Sequence, residues 1–187
     1  MRNSRRNAPS VNAGSMADIA FLLLIFFLVT TTISAEKGIL RKLPDKCANP
    51  PCDVPFNERN VFRIFINFEN KIMAEDEIIE LEELKDLVIA FIDNNGENVC
   101  GYCNGEQQPN LSDKPSEAII SLKHDALTNY GMYIAVQDEI SDAYYDLRVA
   151  YAKKTFDKIP DELSKEELKA VKEAYPFILS EVNVKRN

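Results

Sequence analysis

The chain has 187 residues, a length that fits one ordinary domain with an additional segment. Its formal net charge is −8 and its mean hydropathy is mildly negative, which excludes a protein with many membrane spans. It contains one histidine, His124, and no tryptophan, so a histidine-rich metal site is excluded and any Ser-His-Asp triad would have to use His124.

Charge is divided unevenly along the chain. Arg2, Arg5 and Arg6 precede the first acidic residue, Asp18. Without these four residues the totals of 22 basic and 30 acidic side chains fall to 19 and 29, so the rest of the chain carries a formal −10. Such an acidic body argues against nucleic acid as a partner, because phosphates are neutralised by Lys and Arg.

The stretch Ser15–Ala35 predicts a membrane-spanning helix. A bilayer core of about 30 Å needs about 20 helical residues, and every residue from Ile19 to Val29 is apolar. The arginines before it place the N-terminus in the cytoplasm by the positive-inside rule. A cleaved signal peptide has the same basic start, apolar stretch and small residues near its end. The carboxylate inside the apolar stretch favours an uncleaved anchor.

Asp18 is the ionisable residue of this stretch. A carboxylate at bilayer depth costs about 2.5–3.5 kcal/mol and usually faces protein or a water-filled path, where it could bind and release protons. The alternative is a capping box, Ser15-x-x-Asp18, which would keep the carboxylate near the headgroups. A buried Asp18 requires partner helices, and its helical face holds five further residues: Ser15, Leu22, Ile25, Val29 and Thr32.

The next segments alternate between irregular and regular patterns. Residues 36–60 predict a linker, because they are charged, rich in proline and lack a sustained apolar period. Residues 60–68 alternate in polarity and predict a strand, with a turn and a short return strand over 72–74. Residues 79–93 carry apolar side chains at helical spacing and predict a helix that Asn94-Asn95-Gly96 ends.

A polar insertion at 95–115 separates this helix from the next elements. Residues 116–125 predict a strand, and residues 129–156 predict a long helix. We interpret its apolar stripe as core or interface; the stripe consists of Tyr133, Val136, Ile140, Ala143, Tyr144, Leu147 and Tyr151.

The C-terminal part predicts one more helix and one more strand. Ser164 and Glu167 form a capping box that opens a helix ending before Pro176, and residues 177–184 alternate as a strand. The element order predicts an α+β domain whose helices pack on one face of a small mixed sheet.

A basic tail, the segment SMADIAFLLLIFFLV and an acidic outer domain together resemble the ExbD/TolR family of biopolymer-transport proteins. The stretch AIISLKHDALTNYGMYIAVQDEISDAY is similar to the strand-then-helix unit that follows the first helix of the family's periplasmic domain. The longer 95–115 insertion and the helical addition at 157–176 depart from the compact pattern. This long C-terminal half looks like the versions found in Bacteroidetes-type bacteria.

The resemblance implies a subunit of a proton-driven motor in the cell inner membrane. It implies that Asp18 carries protons inside a pentamer of ExbB/TolQ-type subunits. It also implies a dimeric periplasmic domain that contacts a TonB-type or TolA-type transducer. The expected organisation is a cytoplasmic tail at 1–13, a membrane helix at 14–35, a linker at 36–60 and a periplasmic domain at 61–187.

Four cysteines form the spacings C-x4-C and C-x2-C: Cys47, Cys52, Cys100 and Cys103. An even number in loops outside the cytoplasm favours disulfides, with three possible connectivities. Tetrahedral zinc, a thiol–disulfide redox motif and free thiols are the alternatives. A redox motif usually places its first cysteine at a helix N-terminus, whereas the glycine and prolines after Cys100 indicate a loop.

The remaining candidates favour structural roles. His124 and Asp125 end a strand, and the acidic runs at 75–77 and 80–83 are expected to be solvated faces or, alternatively, to dock a basic partner. We find no glycine-rich phosphate loop and no paired carboxylates whose spacing demands acid–base chemistry, so we expect neither an enzyme nor a cofactor. The alternatives to the motor subunit are a TolR-like role in envelope integrity, an anchored thiol–disulfide protein using Cys100 and Cys103, and a plain anchored binding module.

Overall fold

The computed structural model describes residues 12–30 and 57–183, without the side chains of the last two. They fall into two units, a single helix and an outer domain, which are described separately. Residues 31–35 of the expected span, almost all of the expected linker, the three N-terminal arginines, Cys47 and Cys52 lie outside the described residues.

The first unit is helix α1, Ala13–Thr30. Asn12 caps it, because its side-chain Oδ1 accepts the backbone N–H of Gly14 at 2.9 Å and its carbonyl accepts that of Met16 at 3.3 Å. Near the other end Thr30 Oγ1 donates to the Phe26 carbonyl at 2.9 Å. At 1.5 Å per residue the helix is about 27 Å long, close to the thickness of a bilayer core.

The outer domain is built on a five-stranded mixed sheet. Its strands are β1 Val61–Ile66, β2 Ile72–Ala74, β3 Glu77–Ile79, β4 Ile119–His124 and β5 Leu179–Asn183. Their order is β3-β2-β1-β4-β5. The first three strands pair antiparallel, while β1, β4 and β5 run parallel, with Ile64 opposite Leu122 at the centre of the sheet.

Three helices complete the outer domain: α2 Leu81–Ile92, α3 Tyr130–Phe156 and α4 Lys165–Ala174. One side of the sheet is buried against them, since Phe62, Ile64 and Ile66 of β1 lie in the core while Arg63 between them is exposed. The apolar stripe of α3 fills the same core, with Tyr144 buried at its middle. The predicted α+β class is confirmed.

Helix starts follow the capping chemistry in the sequence. Ser164 Oγ accepts the backbone N–H of Glu167 at 3.2 Å, and Glu167 Oε2 accepts that of Ser164 at 2.7 Å, so the predicted capping box of α4 is confirmed. Asn129 caps α3 by accepting from Gly131 at 2.7 Å. Helix α3 therefore begins within one residue of the predicted start and ends at the predicted residue.

One strand was missed by the sequence reasoning. Strand β3 begins inside the acidic run at 75–77, which indicates a solvated segment, and its last residue was included in the predicted helix at 79–93. The hairpin turn to β3 contains Glu75 with φ 51°, a left-handed conformation that the sequence did not suggest for a glutamate. Helix α2 begins at Leu81 because Glu83 Oε2 accepts the Glu80 N–H at 3.0 Å. Strand β2 has the predicted bounds, 72–74, whereas β1, β4 and β5 are shorter than predicted at both ends, by one to three residues.

Candidate functional site

Asp18 is the sixth residue of α1, about one and a half turns from its start. Asn12 supplies the N-cap, so Ser15 lies inside the first turn and the capping-box alternative for Ser15 and Asp18 is wrong. The carboxylate therefore has no capping role in α1. This position separates Asp18 from the helix end and moves it toward the apolar stretch that begins at Ile19.

Among the helices that the structure describes, α1 is the one that is long and apolar enough to cross a membrane. All of its residues are exposed within the chain, including large apolar side chains such as Phe26 and Leu28, which are about 60% exposed. A surface of that kind is not stable in water. Lipid or helices of other subunits must cover it, and a helix that carries Asp18 needs at least one neighbour for the carboxylate.

The beginning of the outer domain is held by a polar cluster around the buried carboxylate of Asp113. Asn57 Nδ2 and Asn60 Nδ2 donate to Asp113 Oδ2 at 3.1 and 2.9 Å, and Arg59 forms an ion pair with the other carboxylate oxygen. Asn60 Oδ1 in return accepts the backbone N–H of Asp113 at 2.8 Å. The Asp113 side chain is 2% exposed. These contacts fix the end of the linker to the 95–115 loop, and we call this group the junction cluster.

The 95–115 loop contains no helix or strand. It is held by hydrogen bonds to the buried residues that directly follow α2, Asp93, Asn94 and Asn95. Asn94 Nδ2 donates to the carbonyls of Gln108 and Ser112, both at 2.9 Å, and its Oδ1 accepts the N–H of Gln108 at 2.7 Å. Asp93 Oδ2 accepts the N–H of Asn104 at 3.0 Å. The predicted polar insertion is therefore an ordered loop, built on side chains that substitute for a hydrogen-bonded ladder.

Cys100 and Cys103 of this loop form a disulfide with a Cα–Cα distance of 5.5 Å. Tyr102, inside the four-residue disulfide turn, donates its hydroxyl to the Ala174 carbonyl at 2.8 Å. Its ring contacts those of Tyr151 and Tyr175 edge-on, with centroids 5.0 and 5.4 Å apart. We call these three rings the tyrosine cluster.

Burial changes the acid–base chemistry of the tyrosine cluster. The pKa of Tyr175 is raised, first by desolvation and then by its hydrogen bond to Asp93 Oδ1 at 2.6 Å. Burial also raises the pKa of Tyr102. A cavity of about 270 Å³ lies beside the cluster, with Ile89 and Lys154 in its wall. Lys154 Nζ donates to the Tyr102 carbonyl at 3.1 Å and to Asn104 Oδ1 at 3.2 Å, so its charge is already engaged.

The side of the sheet opposite the core is only half covered. Val61, Phe65 and Ile119 lie there half-buried, and Ile78 of the edge strand is 69% exposed. Lys123 Nζ lies 5.9 Å from the Phe65 ring centroid, within cation–π range. This side of the sheet therefore presents half-buried apolar side chains together with a basic one.

The other sequence candidates have structural contacts. The ring centroids of His124 and Tyr133 are 4.9 Å apart, and His124 Nδ1 lies 2.9 Å from the Asp125 carbonyl oxygen. Glu75 accepts the Arg63 backbone N–H at 2.7 Å. Within residues 12–30 and 57–183, no group of three His, Cys, Asp or Glu side chains could hold a metal ion.

Sequence reasoning missed the junction cluster and the tyrosine cluster. Asp113 lies 53 residues after Asn60, and the three rings of the tyrosine cluster come from the 95–115 loop, from α3 and from the residue after α4, so no local spacing could have indicated either cluster. The one available signal was Asp93-Asn94-Asn95, three consecutive residues that favour turns and hydrogen-bond to nearby backbone.

The family model for the biopolymer transport protein ExbD/TolR matches residues 4–154. The chain belongs to the ExbD/TolR family. The matched range includes Asp18, the sheet from β1 to β4 and most of α3, and it ends before α4 and β5. A comparison with curated proteins gave no match.

Membership in the ExbD/TolR family makes this chain a membrane-anchored subunit for transport or for energy transduction in the cell envelope. Members of the family are transport accessory proteins without enzymatic activity. They associate with ExbB/TolQ-type membrane subunits. One apolar helix near the N-terminus agrees with a single-pass membrane protein.

Proposed function

We propose that the chain is the single-span subunit of a motor in the cell inner membrane that uses the proton-motive force. In this proposal Asp18 takes up protons from the periplasmic side and releases them toward the cytoplasm. The observation that carries it is the place of Asp18 in α1: it is past the first turn, Asn12 supplies the cap, and the next eleven residues are apolar. A carboxylate within a membrane span that does not cap the helix is usually functional.

A proton on Asp18 would change what α1 can contact. When the Asp18 carboxylate is protonated and neutral, its face of the helix can move along apolar partner helices. When the carboxylate is charged, the same face stays where a polar group or water can contact the carboxylate. A pentamer of ExbB/TolQ-type subunits around α1 would supply both environments. The proposed organisation is that of a tail at 1–13, a membrane helix at 14–35, a linker at 36–60 and a periplasmic domain at 61–187.

The outer domain would receive this motion through the linker. The junction cluster supports that role, since Asp113 holds Asn57, Arg59 and Asn60 where the linker meets β1. We propose that the domain pairs with a second copy and acts on a TonB-type transducer to energise outer-membrane transport. The half-covered side of the sheet, with Phe65 and Lys123, supports a protein partner there.

The test is growth on a nutrient that requires energised outer-membrane uptake. Wild type, Asp18→Asn and Asp18→Glu are compared at equal membrane levels, with Ser15→Ala on the same helix face as the matched control. We expect no uptake with Asn, partial uptake with Glu and normal uptake with Ser15→Ala. Normal uptake with Asn would overturn proton transfer by Asp18.

A TolR-like role in envelope integrity is the second candidate, because the family match includes both kinds of protein. The same Asp18→Asn strain distinguishes the two. Loss of uptake with a detergent-resistant envelope supports the TonB-linked role, whereas sensitivity to detergent with normal uptake supports the TolR-like one. An anchored thiol–disulfide enzyme predicts the opposite pattern, with a silent Asp18→Asn and a defect in Cys100→Ser.

A further inference from the structure

The Cys100–Cys103 disulfide is within reach of another protein. Both cysteines are half-buried, and their neighbours Gly101 and Asn104 are exposed. Val99, directly before Cys100, is 63% exposed. An attacking thiolate can therefore approach this turn from solvent.

The two sulfur atoms have different surroundings. The backbone N–H of Cys103 points at Cys100 Sγ with an N···S distance of 3.2 Å, so a thiolate on Cys100 would have a hydrogen-bond donor. Asn95 also fixes the backbone of Cys100, since its Oδ1 accepts the Cys100 N–H at 2.9 Å and its Nδ2 donates to the Cys100 carbonyl at 3.2 Å. Cys100 is the better leaving group, because a stabilised thiolate leaves faster.

The disulfide turn is also the segment that presents Tyr102 to the tyrosine cluster. Tyr102 reaches across to α3 through Tyr151 and Lys154, and to the end of α4 through the Ala174 carbonyl. The bridge holds the two residues flanking Gly101 and Tyr102 together, and so fixes the direction in which the Tyr102 side chain leaves the turn. Opening the bridge removes that restraint.

This context differs from that of a catalytic Cys-x-x-Cys motif. Catalytic motifs place the first cysteine at a helix N-terminus, where the thiolate is stabilised strongly. Residues 95–115 contain no helix, and Cys100 follows an irregular segment with Asn98 at φ 54°. The disulfide therefore has the surroundings of a substrate for thiol exchange.

We propose that Cys100–Cys103 is a thiol–disulfide exchange site for a partner protein bearing a dithiol, and that its reduction releases Tyr102 from the tyrosine cluster. One partner thiolate attacks Cys103 Sγ, the Cys100–Cys103 bond breaks, and Cys100 leaves as a thiolate. The second partner thiol attacks the mixed disulfide and frees Cys103. Two electrons move from the dithiol to the bridge, the two cysteines end as thiols, and the partner ends as a disulfide.

The experiment uses the full chain in mild detergent, in a Cys47→Ser and Cys52→Ser background so that thiols are counted at one site. Dithiothreitol is the dithiol probe, alkylation followed by mass measurement counts thiols, and hydrogen exchange measures loop opening. We expect two new thiols without denaturant and at least tenfold faster amide exchange over 100–108, with unchanged exchange in β1. Thiols that appear only in denaturant, or appear without faster exchange, would overturn the proposal.

Two variants test whether Tyr102 anchors the loop, and a glutathione adduct tests which cysteine is attacked. Tyr102→Ala with its disulfide intact should already show the fast loop exchange of the reduced chain, whereas Tyr145→Ala, at an exposed tyrosine, should not. Slow loop exchange in Tyr102→Ala would overturn the anchoring role. Glutathione should form its mixed disulfide on Cys103, as peptide mass will locate, and an adduct confined to Cys100 would overturn the assigned direction of attack.

Discussion

Tyr175 donates its hydroxyl hydrogen bond to Asp93 Oδ1 at 2.6 Å across 82 residues of sequence. Both residues are buried, with 2% and 7% of their surfaces exposed. Asp93 directly follows α2 and Tyr175 directly follows α4, so this bond joins the segment beyond the ExbD/TolR match to the matched domain. The C-terminal addition is thus a structural part of the outer domain.

Replacing Tyr175 by Phe should lower the free energy of unfolding by about 2 kcal/mol, because a buried hydrogen bond to a charged group contributes about 1.5–3 kcal/mol. Urea unfolding of the full chain can be followed by the tyrosine circular dichroism band, since all seven tyrosines lie between residues 102 and 175. The matched control is Tyr145→Phe at a 58% exposed site. Equal losses in both variants would contradict the assignment.

Replacing Asp113 by Ala should lower the free energy of unfolding by about 2–3 kcal/mol, because the change removes the buried acceptor of Arg59 and of two asparagine amides. Hydrogen exchange over 57–62 should accelerate, which would show that the junction has opened. Glu117→Gln is the control, since Glu117 also accepts from Asn60 but its side chain is 47% exposed. An Asp113→Ala chain as stable as this control would rule out the junction cluster as the anchor of the linker.

Two glycines of the 95–115 loop should differ in how much stability is lost when each is replaced by alanine. A Cβ on Gly105 would overlap the Asp93 carbonyl oxygen and Asn94 Cα, which are backbone atoms and cannot move aside cheaply. A Cβ on Gly101 would meet nothing within 4 Å. We expect Gly105→Ala to lose about 1–3 kcal/mol of stability and Gly101→Ala to change it by less than about 0.5 kcal/mol. The midpoint of urea unfolding measures both, and a tolerated Gly105→Ala would show that the loop packs less closely against α2.

The start of α4 should make the outer domain sensitive to acid. The hydrogen bond from Lys158 Nζ, at 2.7 Å, is the main cause that lowers the pKa of Glu167, with the Ser164 backbone second. A lowered folded-state pKa means that the unfolded chain binds the proton more readily. The stabilisation is therefore complete above the ordinary pKa of 4.5 and is lost as the pH falls through the lowered value.

Glu167→Gln should accordingly flatten the fall in unfolding free energy below about pH 5. Glu173→Gln provides the comparison, because the Lys169–Glu173 pair at 3.7 Å is exposed on both sides and such pairs contribute little. If the unfolding free energy of wild type and of Glu167→Gln falls equally with decreasing pH, Glu167 does not cause the acid sensitivity.

Local signals were enough to predict the elements that have them. The Ser164 and Glu167 capping box, the apolar period of α3 and the alternation of β1 depend on neighbours within one or two turns, and all three were predicted. Strand β3 begins inside the acidic run at 75–77 and has a left-handed Glu75 before it, so it carries no such signal. The sequence also indicated Asp18 as the candidate proton carrier, because one carboxylate in an apolar stretch is visible without any fold.

The tertiary structure alone decided which distant side chains meet. The sequence contained Asp113, Arg59, Tyr102 and Tyr175 as ordinary polar residues, and nothing in their spacing set them apart. Parallel pairing of β1 with β4 and the folding of the 95–115 loop over α2 bring them into two buried clusters. Amino-acid order by itself determined a single apolar helix bearing one carboxylate and an acidic α+β domain. The contacts that hold the linker and the disulfide loop to that domain depend on long-range packing, which only the folded chain provides.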